Sequence, residues 1–393
     1  MKRFVMPSLG NNGNNNTRIS HQFTTNFTFP SIDERLEYYM GDWYNRTLNP
    51  KNISCREIKA KNKIVSDKPV LWNLQQIEQT ILKDRKKNWL VGSYLVNCFD
   101  VMNNTEEVDN IASERNNRRA VALNIGDSHS RSAILPVVAK TRFSRFATKK
   151  GKGEHFFKSI IFPLSMSRHY NYINEYIQLY KEGNVSEWKH KKPTVIWRGS
   201  LTGVKNGLDR QQTATHLAGG PRIQVVRQYY NGNVSQVDVA FQKGPSTTQW
   251  APHAYKQDAR LIRETHTSMF DQLKFKYILM LEGNDVATGL KWQLASNSVV
   301  FMAKPTTVSF LMEDLLVPFV HYVPLKDDYS DIVEMVEWAR KNDKMCKWIS
   351  EQATLYMERL WISKQAKTEY TIIKKKLGDS YHEKFGEALK SCA

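Results

Sequence analysis

The segment from Lys276 to Leu325, KYILMLEGNDVATGLKWQLASNSVVFMAKPTTVSFLMEDLLVPFVHYVPL, constrains the fold more than any other stretch of the chain. Two short apolar runs, Lys276 to Leu281 and Ser298 to Met302, bracket a small-residue turn and about two turns of helix. That order reads as two strands of a parallel sheet joined by a crossover helix. Gly283, Asn284, Asp285, Thr288 and Gly289 cluster where the first strand ends. In an open α/β sheet the ligand crevice lies at that end, and a helix N-terminus there offers backbone N–H groups to an anion. The pattern predicts a turn that holds phosphate.

A chain of 393 residues exceeds the usual single-domain size, so two domains are expected. Hydrophobic content of 41%, with 10 Trp, 17 Tyr and 17 Phe, suffices for packed cores. No run reaches the ~20 apolar residues of a transmembrane helix. The N-terminus, MKRFVMPSLGNNGNNNT, has basic residues but no apolar core of a signal peptide. Two placements follow: a soluble intracellular protein, or one whose membrane anchor lies upstream.

The net charge of +18 suits an anionic partner. It is dispersed in small clusters (Arg85 to Lys87, Lys149 to Lys152, Lys189 to Lys192, Lys374 to Lys376) without a nucleic-acid module signature, so nucleic acid is not an expected partner. Cys55, Cys98, Cys346 and Cys392 show no metal spacing and allow three disulfide pairings that sequence does not rank. N-x-S/T sequons start at Asn15, Asn26, Asn45, Asn52, Asn103, Asn184 and Asn233. They point to a secretory lumen, ER or Golgi, in a eukaryote, although an Asn-rich chain also produces them by chance. Otherwise the expected location is cytoplasmic or membrane-associated.

Residues 1–30 lack periodicity and read as disordered or loosely draped. Helical spacing is expected over 32–44, 69–86 and 170–182, and strands over 92–96, 119–125, 134–139 and 157–162. The polar stretch EGNVSEWKHKKP (Glu182 to Pro193) reads as a linker, followed by a strand at 194–197. Beyond it, 211–230 and 260–274 read as mostly helical around a strand at 237–241. A strand at 320–323 and helices over 330–340, 343–362 and 364–388 close the chain. The expected units are 1–30, an N-terminal Rossmann-like domain 31–185, a C-terminal one 190–362, and a closing helix 363–393.

Four blocks stand in order along the chain: NIGDSHS (Asn124 to Ser130), VIWRGSLTG (Val195 to Gly203), the stretch from Lys276 to Met302, and MEDLLVPFVHYVPLKDDYSDIVEMVEWA (Met312 to Ala339). Together they resemble glycosyltransferase family 90, which holds lipopolysaccharide-modifying enzymes, capsule xylosyltransferases and Rumi-type protein O-glucosyltransferases. The GNDVATGLKW wording is similar to the lipopolysaccharide-modifying branch. The resemblance implies a GT-B fold, two Rossmann-like domains facing across a cleft. It also implies inverting, metal-independent transfer of xylose or glucose from a UDP-sugar to a glycan, lipopolysaccharide-like or glycoprotein hydroxyl, with no cofactor. The alternative is a non-catalytic glycan-binding protein on the same fold.

Inverting transfer needs a base for the acceptor hydroxyl and positive charge or N–H donors around the leaving UDP. Asp127 follows a strand in the block resembling the family's catalytic-aspartate segment; it reads as the base or as a helix cap. His129 is a second proton acceptor or a surface histidine. Arg198, ahead of Gly199 and Ser200, grips a diphosphate or sits in an interdomain salt bridge. Asn284, Asp285, Val286, Ala287, Thr288 and Gly289 would form the turn around the UDP-sugar. The O-glucosyltransferase branch carries an arginine at Gly289, and Lys291 is the basic residue expected to replace it in part. Arg168 and His169 are candidate contacts in the sugar pocket. Glu313 and Asp314 read as a helix-start pair favoured by the dipole, or as ribose ligands. No D-x-D pair occurs, so leaving-group stabilisation by Arg198 and helix N-termini, with no metal, is the consistent mechanism.

Overall fold

The computed structural model describes residues 25–47, 70–72, 113–114, 117–118, 121–124, 136–145, 159–163, 166–200, 202–203, 220–230, 234–243, 261–263, 265–283 and 285–390. Asp127, His129, Asn284, Cys55, Cys98 and Cys392 lie outside them, as does the strand expected at 92–96.

In chain order the strands are β1 (Val70–Trp72), β2 (Ser113–Glu114), β3 (Asn117–Arg118), β4 (Val121–Asn124), β5 (Val137–Ala139), β6 (Arg142–Phe143), β7 (Ser159–Ile161), β8 (Lys192–Gly199), β9 (Val237–Gln242), β10 (Ile262–Arg263), β11 (Phe275–Leu279), β12 (Val299–Met302), β13 (Thr307–Val308) and β14 (Val323–Pro324). The helices are α1 (Ile32–Met40), α2 (Met166–Lys181), α3 (Pro221–Tyr229), α4 (Met269–Gln272), α5 (Leu290–Ala295), α6 (Ile332–Lys341), α7 (Asp343–Met357) and α8 (Lys364–Lys390).

The chain is a mixed α/β protein built on a parallel sheet of order β10-β9-β8-β11-β12-β14. Every pairing in it is parallel. Numbered along the chain, that order is 3-2-1-4-5-6, the doubly wound Rossmann order, and it reverses direction between β8 and β11. The strands are apolar on both faces, as a sheet covered on both sides requires. Val195, Trp197, Tyr277, Leu279, Val299 and Phe301 enter one core, while Ile196, Ile278, Val300 and Met302 enter the other.

A second sheet, β1-β4-β5-β7, is parallel except for the antiparallel edge strand β1. Its Val138, Ile160 and Ile161 join the core that also takes apolar faces of α1, α2, α5, α7 and α8. A Ser31/Glu34 capping box starts α1. Ion pairs Arg35–Glu369 and Lys376–Asp33 (2.8 Å) fasten it to α8. Cys346 is a free thiol buried in α7, and burial pushes its pKa up to about 12. Among the described residues, no helix is long and apolar enough to cross a membrane.

Two expectations are corrected. Val70–Trp72 is a strand pairing with Val121–Leu123, where helical spacing predicted a helix from residue 69; long-range pairing overrides local propensity there. Residues 73–86 lie outside the described part. Among the described residues of the expected helix 260–274, Ile262–Arg263 extends the parallel sheet beside β9, and the α-helical part is Met269–Gln272. Leu261 and Ile262 are drawn into the core at the sheet edge, and Thr265 to Ser268 are weak helix formers.

Candidate functional site at the sheet switch point

At the point where strand order reverses, the carboxyl ends of β8 and β11 part and leave a cavity of about 250 Å³. One wall is Trp197 to Ser200 with Thr202, continuing β8. The other is Leu279 to Leu281, Gly283 and Asp285 to Gly289, continuing β11. Arg222 of α3 and Gln293 of α5 complete it. Of the residues expected at a donor site, Arg198, Gly199, Ser200, Asp285, Val286, Ala287, Thr288 and Gly289 therefore share one cavity.

Glycines make this convergence sterically feasible. A Cβ on Gly220 would lie 1.9 Å from the Gly203 carbonyl oxygen, and one on Gly283 would lie 2.8 Å from Thr202 Oγ1. Gly203 itself adopts φ +89°, with the Gly283 carbonyl oxygen 2.9 Å from a built Cβ. Three segments thus meet backbone to backbone: the loop after β8, the start of α3 and the turn after β11. Gly199 has a different reason, since its Cβ would strike the Trp197 indole at 2.5 Å.

Arg198 lines the cavity but is tightly engaged. Its Nη2 donates to Asp238 Oδ1 at 2.8 Å, Nη1 to the Trp197 and Asp238 carbonyls at 2.9 Å each, and Nε to Thr267 Oγ1 at 3.3 Å. Burial lowers its pKa, opposed by the Asp238 carboxylate. The ion pair lies within the sheet, between β8 and β9. Arg263 Nη2 donates to the same Oδ1 at 3.0 Å, so one carboxylate serves two guanidinium groups.

Arg222 was not expected from the sequence. Pro221 at the first helical position sets it at the start of α3. Its guanidinium lies over the Trp197 ring at 5.7 Å, donates to Thr202 Oγ1 at 2.6 Å and the Ser200 carbonyl at 3.1 Å, and reaches the Leu281 carbonyl at 3.1 Å. It clasps both walls of the cavity. The Gly-Pro step before it was the available signal, marking a helix start that follows the loop after β8.

The turn after β11 is held by ionic contacts on its far side. Asp285 Oδ2 lies 2.9 Å from Lys140 Nζ, just past β5. Glu282 accepts from the Thr306 amide at 2.8 Å, the Thr307 amide at 3.1 Å and the Thr306 hydroxyl; burial nevertheless raises its pKa to about 7. Lys291 sits apart from the cavity lining. It is 1% exposed and paired with Glu313 at 3.4 Å, and enclosure lowers its pKa against the attraction of Glu313 and Asp285. Glu313 also accepts from Ser309, and Asp314 accepts from Tyr38, so both carboxylates are internal ties. His169 is buried on α2, which also carries Arg168, and is not among the lining residues.

Residues 170–371, half of the chain, match the model of Glycosyl transferase family 90. The chain belongs to this family. The matched span contains the whole cavity and begins after Asp127, Arg168 and His169. Among family members, the O-glucosyltransferase LpsA of Dichelobacter nodosus is 42% identical over 88 residues, covering 22% of this chain and 28% of LpsA. Protein O-glucosyltransferase 1 of Homo sapiens is 25% identical over 170 residues, covering 43% and 38%. The chain thus spans well under half the length of these relatives. The crystal structure of Anabaena HepE in complex with UDP-glucose aligns over 53% of this chain and 55% of HepE, with TM-score 0.32 and 11% identity. At that level of likeness, strand order is what defines the fold of this family 90 chain.

Proposed function

We propose that this family 90 chain is a glycosyltransferase that moves a sugar from a UDP-sugar to a hydroxyl of a glycan, lipopolysaccharide-like or glycoprotein acceptor, with inversion and without an essential metal. One observation carries the reading. Two separate segments, Arg198 to Ser200 and Asp285 to Gly289, converge on one cavity at the switch point of a Rossmann-order sheet, where nucleotides bind in such folds. The names of the relatives, O-glucosyltransferases, favour glucose over xylose as the sugar.

In this reading the two sheets are the halves of a GT-B arrangement, with the UDP-sugar on the six-stranded side and the acceptor on the four-stranded side. The acceptor oxygen attacks the anomeric carbon as the bond to UDP breaks. Asp127, three residues past β4, takes the hydroxyl proton, and UDP leaves with the bonding electron pair. Arg222, Arg198 and backbone N–H groups of the turn offset the charge that grows on the diphosphate. The absence of any D-x-D pair supports stabilisation by these groups alone.

UDP release should be followed with UDP-glucose, UDP-xylose and a panel of glycan acceptors, in EDTA. Acceptor-dependent release is expected from the wild type and is expected to fall by more than a hundredfold in Asp127→Asn, with UDP affinity retained. Normal turnover by Asp127→Asn would remove the base assignment. No turnover with any donor, alongside glycan binding, would favour the non-catalytic reading.

A further inference from the structure

Among the described residues that line the cavity, Gln293 stands out for a deeply buried side-chain oxygen that accepts no hydrogen bond. It is 7% exposed, lines the cavity, and none of the described residues donates to its Oε1. The charged groups there are engaged: Arg198 with Asp238, Arg222 with Ser200 and Thr202, Asp285 with Lys140. A buried amide oxygen without a donor costs free energy, and such exceptions in a folded chain call for a reason.

Gly289 shows that the space around this amide is shaped. Its φ of −65° is an ordinary right-handed value, so the backbone does not demand glycine. A Cβ there would sit 3.3 Å from both Gln293 Nε2 and Trp292 Nε1, and 3.7 Å from Gln293 Cδ. Glycine at 289 therefore leaves the amide its place one helical turn further on.

Resting on the donor-pocket reading above, we infer that Gln293 is a specificity residue that reads a hydroxyl of the transferred sugar. A neutral amide gives little attraction to a phosphate, but its oxygen accepts from a hydroxyl and its nitrogen donates to the neighbouring one. Position agrees. Arg222 enters from α3 and bridges the ends of β8 and β11, which marks the diphosphate end. Gln293 enters from α5, the helix packed on α2 in the core that the four-stranded sheet shares, which marks the sugar end facing the acceptor. A site built to hydrogen-bond a hydroxyl discriminates strongly against donors that lack it.

The test is titration of the full chain with UDP, UDP-glucose and UDP-xylose, for wild type, Gln293→Met and Gly289→Ala. Gln293→Met keeps the side-chain length, and Gly289→Ala crowds the amide without touching it chemically. The expected result is UDP affinity within about threefold of wild type in Gln293→Met. Affinity for the preferred UDP-sugar should fall about tenfold or more in Gln293→Met, and less in Gly289→Ala. Equal losses for UDP and UDP-sugar, or no loss for either, would overturn the assignment. A wild type that binds neither UDP nor a UDP-sugar would instead overturn the donor pocket itself, and this inference with it.

Discussion

Lys140 Nζ lies 2.9 Å from Asp285 Oδ2, with the two side chains 10% and 8% exposed, so a largely buried ion pair joins the end of β5 to the turn after β11. The pair links the four-stranded sheet to a wall of the cavity. Removing one partner strands a buried charge, whereas removing both does not. Lys140→Met is therefore expected to destabilise the chain by about 3 kcal/mol, and Lys140→Met with Asp285→Asn by distinctly less than the sum of the single changes. Urea denaturation of the four species measures this; strict additivity would mean that the pair does not couple.

The glycine junction makes a steric prediction with an internal control. Gly220→Ala places a Cβ 1.9 Å from the Gly203 carbonyl oxygen, so α3 must move away from the loop after β8. A loss of about 2–3 kcal/mol is expected, together with loss of nucleotide binding. Gly183, with φ +71° and nothing within 4 Å of a Cβ, should cost only about 1 kcal/mol on change to alanine, through backbone strain alone. Thermal melts of both variants decide the matter, and equal costs would contradict the junction.

Glu282 predicts a pH dependence. Burial raises its pKa from the ordinary 4.5 to about 7, and the hydrogen bonds from Thr306 and Thr307 only partly oppose this. The folded chain then keeps a proton that the unfolded chain releases. The associated stability is complete below about pH 4.5 and is lost as pH rises through about 7. Glu282→Gln imitates the protonated form, so it should remove this slope and gain relative to wild type at pH 8, by up to about 3 kcal/mol. Denaturation midpoints from pH 5 to 8 test it, and parallel curves would show that Glu282 does not titrate there.

Much of the site was legible because the turn after β11 announces itself locally: apolar run, Gly283, small residues, helix, apolar run. Arg198 to Ser200 were legible for the same reason. What no local pattern states is that these segments are neighbours, since that depends on β8 and β11 being adjacent in the sheet. Arg222 was missed because its role comes from packing against Trp197 and two carbonyls, and the Gly-Pro step marks only a helix start. Gln293 was missed because a glutamine one turn into a helix carries no signal until its burial is known. Lys291 shows the converse relation between pattern and packing. Its charge and position matched a phosphate ligand, yet the short helix turns its side chain inward to Glu313. Spacing alone reads Val70–Trp72 and Ile262–Arg263 as helix, and sheet pairing decides otherwise.

The central claim is that the cavity at the β8–β11 switch point holds the UDP moiety of the donor. Calorimetric titration of UDP into the wild type and into Thr288→Trp, which fills the mouth of the cavity at a partly exposed position, tests it directly. Saturable UDP binding is expected of the wild type, with affinity lower by at least about thirtyfold in a variant that melts at the same temperature. Equal UDP affinity in the two proteins would place the nucleotide elsewhere and contradict it.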